Sequence, residues 1–164
     1  MRATVSSAIG DSITSVGARL LRVRWLVRTP VWLYRARLGG IFGTRLLMLE
    51  HIGRQSGKRR YVVLEVIARP APDTSVVVSG FGERAQWFRN VYATPQVRVV
   101  LGSHRPAPAL ARLLDHELAT AALDAYKEQH PAAWSRFKPI LEDTLGSPLD
   151  APGARLPIVA LQLL

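Results

Sequence analysis

The hydrophobic pattern is helical at the start, mainly alternating through the middle with one short helical interruption, and helical again before a closing strand. In the first stretch Ile13, Val16, Leu20, Val23 and Val27 recur at helical spacing beside Arg19, Arg22, Arg24 and Arg28, which predicts an amphipathic helix over 12–28. Thr29-Pro30 restarts the chain, and residues 31–38 read as a second, short helix ended by Gly39-Gly40. The middle of the chain is rich in Val, Ile, Leu and Tyr. Strands are predicted over 46–51 and 60–68, joined as a hairpin by the polar, basic turn 53–59. Pro70-Ala71-Pro72-Asp73 leads into a third strand over 74–79, which Gly80 to Gly82 end. Residues 84–93 read as a helix with Trp87, Phe88 and Val91 on its apolar side, and 96–101 and 109–114 as two more strands. Helical spacing then returns in Leu118, Ala122, Ala125 and Tyr126, and again in Trp134, Phe137, Leu141 and Leu145, before a closing strand over 158–163.

Six strands with helices at both ends and one short internal helix predict an α+β fold rather than an alternating parallel sheet. At 164 residues, 48% of them hydrophobic, the chain is long enough to bury a core as one globular domain. Its lack of cysteine removes disulfides, thiolate metal sites and thiol nucleophiles. Within that domain a basic helical segment, 1–44, precedes the strand-rich part, 45–164. Ser, Gly, Asp and Arg break every candidate signal core before Pro30, and no apolar run reaches spanning length, which predicts a cytoplasmic protein.

Charge adds a direction. Of 22 Lys and Arg, 12 lie in the first 60 residues against Asp11 and Glu50, while the remaining ten basic and ten acidic residues cancel, so the net +10 is carried by the N-terminal part. Such asymmetry suggests an anionic partner, whether nucleic acid, a membrane surface or a polyanionic small molecule, although 19 of the 22 cations are Arg, which genome composition explains equally well. The helix over 12–28 is built to rest on an anionic membrane or to pack on its own domain. No standard nucleic-acid motif is present, which argues against nucleic acid. His51, His104, His116 and His130 are scattered without a pair at ligand spacing and read as surface or capping residues, so no metal is expected. No Gly-x-Ser-x-Gly elbow exists either.

Two segments carry candidate chemistry. Gly53-Arg54-Gln55-Ser56-Gly57-Lys58-Arg59-Arg60 is not a Walker A loop: its glycines enclose three residues, Arg follows the Lys, and it joins two strands. Gly53 and Gly57 are nonetheless expected to take positive φ and bare backbone N–H groups, beside the Ser56 hydroxyl and four crowded cations. Arg grips phosphate or carboxylate in two-pronged fashion and Lys adds a point charge. An ordinary solvated hairpin turn has the same composition. Thirty residues on, the glycines of Ser79-Gly80-Phe81-Gly82 permit close approach by a flat ligand or another backbone. Trp87 and Asn90, three apart, share a face of the short helix, although Trp87 and Phe88 equally suit a core.

Taken in order, these segments, with Gln86-Trp87-Phe88-Arg89-Asn90 and Ala93-Thr94-Pro95 leading to Val97-Arg98-Val99, resemble the split-barrel deazaflavin-dependent oxidoreductases, the nitroreductase-like family that uses coenzyme F420. The resemblance runs from about Leu46 to Arg105 and more weakly to Tyr126, His130-Pro131 and the last strand. It implies a six-stranded split β-barrel of the FMN-binding type, often dimeric, that transfers hydride from reduced F420 to a quinone-like, nitroaromatic or other hydrophobic acceptor. The coenzyme's phosphate and oligoglutamate tail would lie on Arg54, Gln55, Ser56, Gly57, Lys58 and Arg60. Ser79, Phe81 and Gly82 would line the deazaflavin ring, supported by Trp87 and Asn90, and Tyr126 and Ser79 are the candidate proton donors. Many relatives carry Lys in place of Gln55, and Pro in place of Arg59 and Val63. Other barrels of this kind bind FMN, FAD or tetrapyrroles, so a non-catalytic flavin, tetrapyrrole or lipid binder is the alternative reading.

Overall fold

Alternation along the first strand sorts its side chains into two sets, and the barrel follows from that sorting. The computed structural model describes residues 31, 35–36, 39–149 and 156–164. The helix predicted over 12–28 therefore lies outside the described residues, as does most of the one over 31–38 and of the 1–44 segment. In β1 (Leu46–Ile52), Leu47, Leu49 and His51 fall on one face, and Met48 and Glu50 on the other.

β1 pairs antiparallel with β2 (Arg59–Ala71) on one side and with β4 (Gln96–Leu101) on the other. The ladder continues through β3 (Thr74–Val78), β6 (Ile158–Leu163) and β5 (Ala107–Leu113) back to β4, closing a six-stranded antiparallel barrel in the order β1-β2-β3-β6-β5-β4. Closure removes exposed edges. The inward set, Leu47, Leu49, Leu64, Val77, Val97, Val99, Val159 and Leu161, forms one core with Ala109 and Ala111. Each such large side chain contributes about 1.5–3 kcal/mol on burial. The short helix α1 (Gln86–Ala93) adds Trp87, Phe88 and Val91 to the same core and so plugs the barrel end where β1 stops and β2 starts.

The outward set is covered separately. Ile67, Val76 and Ile158 lie beneath α2 (His116–Gln129) and α3 (Pro131–Leu145), through Leu123, Tyr126 and Trp134. Asp115 caps α2 by accepting from the Leu118 N–H at 2.9 Å, and Pro131 opens α3 where its missing N–H costs nothing. Met48, Val63 and Val100 pack with Val31, Leu46 and Tyr61, and the Arg35 guanidinium lies 5.2 Å from the Tyr61 ring centre.

Three boundaries differ from the sequence reading by two residues or more. β2 runs past 68 to Ala71 through Pro70, because register shifts against β3 on either side of Ala68 leave room for a residue that cannot donate to the ladder. β5 starts at Ala107 and includes Pro108, whose carbonyl accepts from Leu164. α1 starts at Gln86, since residues 82–84 close a tighter 3-10 turn first.

Candidate active site

The basic turn is closed by its own backbone. Gly53 N–H donates to the Lys58 carbonyl at 2.9 Å, and the N–H groups of Ser56 and Gly57 donate to the Gly53 carbonyl at 3.1 and 2.8 Å. Lys58 N–H reaches Ser56 Oγ at 3.4 Å, and Arg54 N–H donates to Asn90 Oδ1 at 3.1 Å. The expectation of bared amides is thus corrected for Gly53, Arg54, Ser56, Gly57 and Lys58, whose donors are already satisfied within the fold. Gly57 does adopt a positive φ, +63°. Gly53 does not; a Cβ there would sit 2.7 Å from Ser56 Oγ, a contact that rotation of the hydroxyl can relieve.

Strand alternation then divides the cations. Arg59 stands opposite Ile52 on the outer face, where its Nε lies 3.5 Å from the largely buried Glu50 carboxylate. Arg60 stands opposite His51 on the face toward α1. Lys58 and Arg60 are exposed and form no salt bridge among the described residues.

Arg54 is held to α1. Its Nη1 donates to Gln86 Oε1 at 2.9 Å and to Asn90 Oδ1 at 3.1 Å, so Asn90 accepts from both the backbone and the guanidinium of one residue. The Asn90 Nδ2 lies 3.2 Å from His51 Nδ1, and both side chains are buried, at 6% and 4% exposure. Burial pushes the His51 pKa down from 6.5 to about 4; a hydrogen bond with the Ile52 backbone opposes this, and the charge of Arg60 reinforces it. His51 is therefore neither a surface nor a capping residue. Its place in the alternation with Leu47 and Leu49 was the available signal. Gln86 gave none.

The corner 79–82 is shaped by α3. Ser79 is fully enclosed and its hydroxyl donates to the Gly82 carbonyl at 2.7 Å, while Gly82 N–H returns to the Ser79 carbonyl at 2.9 Å. A Cβ on Gly80 would meet Leu141 at 3.2 Å, and one on Gly82, where φ is +59°, would meet Leu145 at 3.0 Å. Close approach here is to α3 side chains. Phe81 exposes 37% of its surface. Trp87 is buried in the barrel core, edge-on to Phe88 with ring centres 6.1 Å apart.

Tyr126 sits on the outer wall. Its hydroxyl donates to Glu65 Oε1 at 2.6 Å, with Arg45 Nη2 3.5 Å from the same oxygen. Burial, then the bond to Glu65 and its charge, raise the tyrosine pKa well above 10. Glu65 lies five residues along β2 from Arg60, roughly 17 Å at 3.3–3.4 Å per residue, so the Tyr126 hydroxyl and the basic turn are far apart.

Two apolar clefts adjoin these parts. One, of about 20 Å³, lies between barrel and helices against Val78, Tyr126, Trp134, Phe137 and Leu141, next to the Ser79 corner. The other, of about 190 Å³, is bounded by Phe88, Val91, Tyr92, Pro95, Ala111 and Leu113. Gln86 and Asn90 face the turn, whereas Phe88 and Tyr92, each two residues on, lie roughly 200° around α1, so the larger cleft is on the opposite flank of that helix. Among the described residues no group of three or more His, Asp or Glu could hold a metal, and no helix is long and apolar enough to cross a membrane.

No curated protein sequence matches the chain. Solved structures share the fold: an F420-H2 dependent reductase (21% identity, 72% of this chain and 94% of that one, TM-score 0.51) and a domain-swapped dimer (20%, 89% and 99%, 0.53). A further neighbour is a pyridoxamine 5'-phosphate oxidase-related, FMN-binding protein from Nostoc punctiforme (14%, 83% and 79%, 0.53). These are split barrels, the architecture expected from the sequence. The family model for F420H(2)-dependent quinone reductase matches residues 25–137, more than half of the chain and including both the basic turn and the corner before α1. The chain therefore belongs to the F420H(2)-dependent quinone reductase family, and is an oxidoreductase whose cofactor is coenzyme F420.

Proposed function

We propose that the protein reduces a quinone or a similar hydrophobic acceptor, holding the coenzyme's phosphate and oligoglutamate tail on residues 54–60. The observation that carries this reading is the attachment of Arg54 to α1 through Gln86 and Asn90, which fixes a cationic turn on the helix that plugs the barrel. The donor set fits a polyanion: residues 53–60 contain four cations and no acid. Arg54, Lys58 and Arg60, with the Ser56 hydroxyl and the Gln55 amide, would hold the tail, and Gly57 gives the turn its shape. Arg59 is engaged by Glu50 on the other face.

When bound, F420 supplies the hydride. The protein's share is to place donor and acceptor together and to exclude water, which asks for no side-chain nucleophile. Phe81 has the side-chain surface to lie against the ring, backed by Ser79, Gly82, Trp87 and Asn90. The Ser79 and Tyr126 hydroxyls already donate to Gly82 and Glu65, so both act in packing that wall rather than as proton donors. The match to the family model for F420H(2)-dependent quinone reductase supports a quinone-like acceptor. Self-association is the accompanying reading, supported by the domain-swapped dimer among the structural neighbours and checked by sedimentation.

The test is fluorescence titration with F420 at two salt concentrations, with FMN as competitor, followed by quinone reduction. Lys58→Ala and Arg60→Ala should each weaken binding about tenfold, as expected for a charge-assisted contact, and flatten its salt dependence. Unchanged affinity in both variants would remove the tail from the turn.

A further inference from the structure

The side chains of His51 and Asn90 are buried behind the turn and have no access to solvent from which to bind a tail directly. Their hydrogen bonds nevertheless determine one another. Arg54 N–H and Nη1–H are donors without acceptor capacity, and both point at the same Asn90 side-chain atom, at 3.1 Å each. That atom must be the amide oxygen. The amide NH2 then faces His51, 3.2 Å from Nδ1. Nδ1 must therefore carry a lone pair, and the imidazole proton must reside on Nε2. The tautomer is deduced from the Arg54 donors, two hydrogen bonds away.

We propose that His51 and Asn90 are positioning residues for the cofactor-binding turn: the neutral imidazole fixes the orientation of the Asn90 amide, whose oxygen holds the backbone and guanidinium of Arg54 in the shape that meets the anionic tail. The proposal rests on the tail assignment made above. The bracket replaces what the turn's own amides cannot supply, since those of Ser56, Gly57 and Lys58 are spent within the turn. Order imposed before binding need not be imposed by the ligand, and the saving appears as affinity. Charging the ring would place an N–H against the amide NH2. The amide would then have to turn over, and both Arg54 bonds would break together. The charged group acting on His51 is Arg60 across the strand pair, and Arg54 meets it only through the Asn90 amide.

The experiment has two arms on the full chain. In the first, nitrogen-15 spectra of histidine-labelled protein near neutral pH read the protonation of each ring nitrogen. An unprotonated Nδ1 with a protonated Nε2 at His51 is expected; a proton on Nδ1 overturns the proposal without any need of cofactor or variant. In the second, F420 affinity is measured for Asn90→Ala, Arg54→Ala and the double variant, each checked for a cooperative thermal transition. Each single change should weaken binding about tenfold. The double variant should be no worse than about the weaker single one, because Asn90 acts through Arg54. Multiplicative losses, about a hundredfold in the double variant, overturn the bracket while leaving the tail assignment standing if Lys58→Ala and Arg60→Ala still weaken binding. Unchanged affinity in all of these variants removes the tail assignment and the bracket together.

Discussion

Acid should destabilise this protein through His51, and the size of the effect follows from where β1 places it. His51 ionises near 6.5 when the chain is unfolded and near 4 when folded. Between those values the unfolded chain holds a proton that the folded one refuses, so stability rises with pH across the window and is lost as pH falls from about 6.5 toward 4. Integrating to pH 4.5 at 1.36 kcal/mol per pH unit gives a loss of about 2.5 kcal/mol, and of about 3 kcal/mol once both states are protonated. That is a large share of a typical 5–15 kcal/mol stability. Carboxylates also titrate in this range, so the measurement is a difference. His51→Asn places an amide oxygen near the position of Nδ1, keeps an acceptor for Asn90 and cannot titrate. Urea unfolding of both proteins at pH 7 and 4.5 should show the wild type losing about 2.5 kcal/mol more than the variant. Parallel losses would mean that His51 is not held neutral by burial, and the reasoning would fail at its first step.

Other consequences concern single contacts. Tyr126→Phe removes the 2.6 Å bond to Glu65 and should cost about 1–2 kcal/mol in thermal stability while leaving saturated turnover nearly unchanged. A collapse of turnover without loss of stability would make the tyrosine a proton donor after all. Gly57→Ala forces a Cβ into a φ of +63° and should cost about 1 kcal/mol or more, whereas Gly53→Ala meets a Ser56 hydroxyl that can rotate away and should cost less; equal melting shifts would contradict this ordering. Leu49→Ala, at a fully buried site in the barrel centre, should cost about 2–5 kcal/mol by urea unfolding, and a loss below 1 kcal/mol would show that the site collapses.

The barrel was legible because its pattern is local. Leu47 and Leu49 alternate with Met48 and Glu50, Val-rich runs recur between Gly and Pro punctuation, and the period changes at Gln86 and again after Asp115. Boundaries at Pro70 and Pro108 were missed because a proline reads as a strand breaker, whereas Pro70 sits at a bulge in the hairpin with β3 and Pro108 still pairs opposite Arg98 of β4. The candidate site divides in the same way. The cations of the turn could be seen by composition, and Asn90 was picked out by its spacing from Trp87. What Asn90 does could not be read, since its partners, His51 and Arg54, lie 39 and 36 residues away. Trp87 and Asn90 are neighbours on α1, yet the indole enters the barrel core while the amide turns to the loop.

The least expected feature is a glycine-containing, cation-rich turn most of whose amides are already hydrogen-bonded within the fold. In phosphate-binding loops converging N–H groups fix one tetrahedral anion at one point. Here that geometry is absent: the Gly53 carbonyl takes the Ser56 and Gly57 amides, and Asn90 takes that of Arg54. What remains is a set of long side chains, of which Arg54 is tethered and Lys58 and Arg60 reach into solvent. Such a set recognises the amount and spacing of negative charge more than its shape. It suits a ligand whose charge is distributed along a flexible tail of carboxylates, and it explains why order must be supplied from behind, through α1, rather than by the loop itself. The turn is a carrier of charge, and its rigidity is borrowed from a buried imidazole.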